Sequence, residues 1–165
     1  MRHSFVLVAA VLIGATGALA ADSRSADFIR EAVQGNIFEV KAGELAAAKG
    51  ATQSVRQFGA MLAKDHAAAG AKSAAAAKAS GVTPPTTPSK TQQGVLEALG
   101  KLEGDKFDEH FIKSMNDDHL REVARYETQA KSGADAVSQY AAETLPALRE
   151  HLKAVQGLQN ERATR

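Results

Sequence analysis

The chain has no cysteine and no tryptophan among its 165 residues, and only two tyrosines, six phenylalanines and four prolines. Without cysteine there is no disulfide framework, thiol nucleophile, thiolate metal site or lipoprotein acylation point, so stability must come from packing. The missing tryptophan and sparse aromatics leave little from which to build a carbohydrate platform or an aromatic cage. A formal net charge of +1 lacks the electropositive footprint that nucleic acid requires. The chain also has no Gly-x-Ser-x-Gly elbow, no phosphate-cradling glycine loop and no dinucleotide fingerprint. Among enzyme classes only metal-dependent redox chemistry is left open, and the expectation is a non-enzymatic protein.

What is present begins with an export pattern. Arg2 and His3 precede an uncharged apolar run from Phe5 to Ala20, which ends in Ala18-Leu19-Ala20 before polarity resumes at Asp22. That is the layout of a cleavable signal peptide, with the cut expected after Ala20 and the periplasm as destination. Gly14, Thr16 and Gly17 dilute the run below what a retained membrane anchor of roughly 20 strongly apolar residues needs. No integral span is therefore expected after cleavage. Residues 21–165 suit one domain, its core about 26–158, and removal of Arg2 leaves 19 basic against 19 acidic side chains.

Along this remainder the apolar spacing is helical and never alternates as a strand would. A first helix is predicted from about Ser25 to Lys49, with Ile29, Val33, Ile37, Val40 and Leu45 inward and Gly50 as its break. A second runs from about Thr52 to Ser80, where Val55, Phe58 and Leu62 lead into an alanine-rich stretch whose Lys64, Lys72 and Lys78 form a solvated face. The segment from Gly81 to Pro88 holds three prolines and cannot continue a helix. A short helix follows at Gln92 to Leu102. A third main helix is predicted from about Asp105 to Lys131, with Phe107, Phe111, Met115, Val123 and Tyr126 inward. A fourth runs from about Asp135 to Leu158, Pro146 either kinking it or opening its second segment, with a frayed tail after Gln159. Two short turns flanking one connection from Gly81 to Gly104 give the element order of an all-α, ferritin-like four-helix bundle with a long crossover between helices 2 and 3; simple up-and-down topology is the alternative, which the length of that connection disfavours.

Several strings carry a resemblance: Glu39-Val40 before Leu45-Ala46, Phe58 to Met61 before Asp65-His66, Gly104 before Phe107-Asp108, and Leu145-Pro146 before His151-Leu152. In order and spacing they resemble the exported bacterial ferritin-like proteins grouped as domain of unknown function 4142, over about Ala26 to Leu158. The resemblance implies a four-helix ferritin-like fold and a periplasmic or outer-membrane-associated location. It implies no particular activity.

Chemistry centres on polar residues that fall on apolar helix faces. His66 follows Phe58 and Leu62 at steps of four, His119 follows Phe111 and Met115 in the same way, His151 sits among Leu148, Leu152 and Val155, and Glu39 precedes Val40. With Glu122, three residues after His119, these are the candidate metal ligands. A rise of about 1.5 Å per residue puts Glu39 at roughly 16 Å, His66 at roughly 24 Å, His119 at about 21 Å and His151 at about 13 Å along the bundle, a spread of about 11 Å. A ferritin-like di-iron site uses Glu-x-x-His pairs, and the sequence contains none, only the reversed His119-x-x-Glu122. The set suits instead a mononuclear iron, copper or zinc ion.

The alternative reading makes the histidines hydrogen-bonded core residues, with Glu39 or Asp65 as partners and Glu122 paired to Arg121 or Arg125. Asp117 and Asp118 read as solvated, Asp108 and Glu109 as first-turn carboxylates favoured by the helix dipole, and His110 as exposed. The functional expectation is a non-enzymatic envelope protein with a binding or stress-related role, and its alternative a metal-binding or metal-dependent redox protein using the inward His and Glu residues. Docking of an envelope partner, or of a second copy, through the alanine-rich second helix is a third.

Overall fold

The computed structural model describes residues 15–164, with side chains from residue 23, and among these there is no strand. Five helices follow one another: α1 (Ala15–Lys49), α2 (Gln53–Ala79), α3 (Lys90–Gly100), α4 (Gly104–Ala130) and α5 (Ala136–Ala163). Most of the expected leader, residues 1–14, and the predicted cleavage-site side chains lie outside the described residues. α1 begins ten residues before the position expected from its polar start, because the alanines at 15, 18, 20 and 21 favour helix. No helix among the described residues is long and apolar enough to cross a membrane.

The turns are fixed by local chemistry. Asp108 does not serve its own helix's first turn, as the sequence suggested. It is fully buried, and its carboxylate accepts from the Ala51 and Thr52 backbone N–H groups and the Thr52 hydroxyl at 2.8–3.0 Å. That ties the start of α4 to the α1–α2 turn, while Thr52 Oγ1 caps α2 by accepting from Val55 N. At the other end of α2, Gly81 takes a φ of +71°. Val82 N then donates to Ala77 O and Gly81 N to Lys78 O, a Schellman closure that turns Val82 into the core. A Ser89–Gln92 capping box opens α3, and Asp135 caps α5 through Ser138 N.

These junctions give the topology. Val82 packs with Phe28, Tyr126 and Val137 at one end of the bundle, whereas Lys49 reaches the Gly100 carbonyl at the opposite end. The connection from 81 to 103 therefore runs the length of the molecule, and α2 and α4 point the same way, as in a ferritin-like bundle. Pro146 interrupts nothing: α5 is continuous from Ala136 to Ala163, including the stretch expected to fray. Gly43 and Gly59 bring α1 and α2 together so closely that a Cβ on either would lie within 2.7 Å of the opposite backbone.

Two apolar clusters fill the interior. One, at the Val82 end, centres on Phe28, Ile29, Val33, Tyr126, Val137, Tyr140 and Leu148; the other, at the Gly50 end, on Phe38, Val55, Leu62, Phe107, Phe111, Met115 and Val155. Between them the chain buries polar residues from all four main helices.

Candidate metal centre

Glu39 from α1, His66 from α2, His119 and Glu122 from α4 and His151 from α5 come together in this middle layer, none more than 7% exposed. The imidazole centroids of His66, His119 and His151 form a near-equilateral triangle with sides of 5.7, 5.2 and 5.5 Å. One ligand atom from each of these histidines lies within 4.8 Å of the others, and the same holds for Glu39, His119 and Glu122. Ligands at about 2.0–2.2 Å from a shared ion can be no more than about 4.4 Å apart, so both triads are near the size of a coordination shell. The two share His119.

Helix geometry explains why the spread expected from sequence closes. Each Cα–Cβ bond leans toward its helix N-terminus. α2 and α4 start at the Gly50 end, so His66 and His119, placed too far along, lean back toward that end. α1 and α5 finish there, so Glu39 and His151, placed too near, lean away from it. All four side chains converge on one level.

One nitrogen of each ring is pinned. His119 Nδ1 donates to the Met115 carbonyl at 3.0 Å, which leaves Nε2 as a bare lone pair. His66 Nδ1 donates to Asn36 Oδ1 at 3.0 Å, an orientation set because the Asn36 amide nitrogen donates to Ala32 O and Tyr140 Oη. His151 Nε2 donates to Asp65 Oδ2 at 3.1 Å, leaving Nδ1 bare. His66 Nε2, His119 Nε2, His151 Nδ1, both Glu39 oxygens and Glu122 Oε2 are buried without a hydrogen-bond partner. Glu39 Oε2 does lie 2.8 Å from His66 Nδ1 and Oε1 3.4 Å from His119 Nδ1, but those N–H groups point to Asn36 and Met115 instead.

The electrostatics follow from burial. Desolvation pushes the Glu39 carboxyl well above the usual carboxylate range, with the Asp118 charge adding to it, and does the same to Glu122, helped by Glu39. It lowers all three imidazoles, His119 to about 3, where His66 and His151 oppose a further charge. His66 and Arg125 act against the rise at Glu122 without cancelling it. Arg125 is held by Glu31 and Arg121 by Asp118, so neither pairs with Glu122 as the alternative reading required.

Every candidate ligand from the sequence is thus in one cluster, and His110 is exposed as expected. Asp118 departs from the solvated pair it was read into, for its Oδ2 is buried without a partner. Asp65 serves His151 as the alternative reading allowed. Sequence reasoning missed Asn36, although a polar residue three before Glu39 shares its helix face. It also missed Gly35, where a Cβ would stand 2.9 Å from Glu122 Oε1. Gly35→Ala is expected to raise metal-free stability by up to about 1 kcal/mol through helix propensity. It should at the same time weaken metal binding by displacing the carboxylate, and calorimetric titration beside urea denaturation would register both.

A profile for the family described as Domain of unknown function (DUF4142) matches residues 12–158, nearly the whole chain. The chain belongs to that family. No curated protein and no solved structure was found to match it. In this DUF4142 protein the buried polar layer is the feature that bears on function.

Proposed function

We propose that the protein is an exported, periplasmic metal-binding protein that holds one divalent first-row transition ion in the middle of its bundle. One observation carries the reading: three buried histidines, each with one nitrogen hydrogen-bonded and the other bare, share a layer with the two buried carboxyl groups of Glu39 and Glu122. A bare buried donor or acceptor costs about 1–3 kcal/mol, more for a charged group, so a layer of six such atoms is costly as a purely structural device. The tie from the outer ring nitrogen to a carbonyl, amide or carboxylate is the support that metal-bound histidines characteristically have. Two carboxylates neutralise a divalent ion without help from a buried side-chain cation. Nitrogen and oxygen donors without thiolate suit iron or zinc, and also copper.

The export half of the proposal is supported by the leader pattern before Ala21. Intact-mass measurement and elemental analysis of tag-free protein recovered from a periplasmic extract test the two halves. The expected result is an N-terminus at Ala21 and close to one equivalent of metal per chain. No metal, even after reconstitution with iron, copper, zinc and manganese in turn, would return the histidines to the role of core residues.

A further inference from the structure

The five candidate ligands are sealed from solvent, so an ion needs a route to them. Two clefts approach the polar layer. One, of about 310 Å³ between α1 and α2, is lined by Asn36, Lys41, Glu44, His66 and Gly70. Its inner wall includes His66, whose Nδ1 is tied to Asn36, and Lys41 adds a positive charge to its lining. The other, of about 200 Å³ among α1, α3 and α4, is lined by Phe38, Thr91, Gln92, Ser114, Asp118 and Arg121. Here oxygen donors are more numerous, with Asp117 in the lining beside Asp118.

Asp118 has an arrangement found at no other acidic residue among those whose side chains are described. Its Oδ1 accepts from the exposed Arg121 guanidinium at 2.7 Å, while its Oδ2 is buried and unpartnered. It adjoins His119 in sequence, and its charge acts on Glu39, Glu122 and His66. A carboxylate with one oxygen toward the surface and one bare oxygen inside can accept a hydrated cation from the cleft and pass it to a second carboxylate. The ion then exchanges one oxygen ligand for another and is never stripped into an apolar wall. We propose that Asp118 is the transfer residue through which the metal ion enters, moving it from the α1–α3–α4 cleft to Glu39, with Arg121 as the counter-charge that must give way. An exposed ion pair of this kind is weak enough to open readily.

This inference rests on the metal-binding reading, and its test separates the two. Metal-free protein is mixed with Co²⁺ in a stopped-flow instrument and uptake is followed by visible absorption, with equilibrium stoichiometry measured alongside. Asp118→Asn is expected to bind the same one equivalent but about tenfold more slowly, the size of effect that a lost steering charge produces. Arg121→Ala is expected to speed uptake, a change of opposite sign that mere loosening at Asp118 would not give. Glu44→Gln, which removes the carboxylate of the α1–α2 cleft, should leave the rate unchanged. Unaltered rates in both Asp118→Asn and Arg121→Ala, or slowing confined to Glu44→Gln, would overturn the route and leave the metal site standing. Loss of stoichiometric binding in Asp118→Asn alone would make Asp118 a ligand instead of a conduit. Failure of the unmodified protein to bind cobalt would remove both readings together.

Discussion

Saturation with the bound ion is expected to raise the thermal unfolding midpoint by about 8–16 °C, and the His66→Ala, His119→Ala double variant to show no such rise. An ion that binds the folded chain alone contributes about 4 kcal/mol when present at a thousandfold excess over its dissociation constant. For a domain of this length each kcal/mol moves the midpoint by about 2–4 °C. The size of the shift follows from where the ligands reside. Glu39, His66, His119, Glu122 and His151 come from four helices, so an ion among them ties α1, α2, α4 and α5 at mid-height and is lost only when the bundle opens. Differential scanning calorimetry with and without metal decides the matter. A rise that persists in the double variant would place the ion elsewhere on the protein, and no rise in the parent would mean that the layer holds none.

The element order was legible in the sequence because three features are local: period-3.6 apolar spacing, the proline run after Gly81 and the glycine or capping residues at each turn. The candidate ligands were legible for a related reason, since a lone polar residue on an apolar face stands out at each of Glu39, His66, His119 and His151. Their common level was not. A count of rise per residue tracks Cα atoms, and in antiparallel helices the N-terminal lean of the side chains corrects those heights in opposite directions. Neighbour identity was equally hidden. Asp117 and Asp118 look alike in sequence, yet one pairs with Lys113 at the surface while the other keeps an oxygen inside, because one residue turns a helix by about 100°. Asp108 sits where a first-turn carboxylate would, but serves a different helix's start. Such partners come from tertiary placement, which periodicity does not encode.

The same buried carboxylates make the metal-free protein lose stability as the solution becomes alkaline. Glu39 and Glu122 have folded pKa values raised well above their ordinary 4.5, so above that point the unfolded chain ionises while the folded one stays protonated. Each then costs up to about 1.4 kcal/mol per pH unit until its folded pKa is reached. The histidines act with the opposite sign. Their folded values lie below the ordinary 6.5, His119 at about 3, so their contribution is fully present above 6.5 and is lost as the pH falls through that window. Between 4.5 and 6.5 the two effects oppose each other, and above 6.5 only the carboxylates remain. Urea midpoints in the presence of a chelator should therefore decline from pH 6.5 to pH 8.5. In the Glu39→Gln, Glu122→Gln variant, whose amides do not ionise, the alkaline decline should disappear along with metal binding. A parent protein equally stable at pH 6.5 and pH 8.5 without metal would show that water reaches these carboxylates in the folded state. A decline that metal reverses would show instead that the layer gives up metal-free stability to keep two carboxyl ligands ready for a cation.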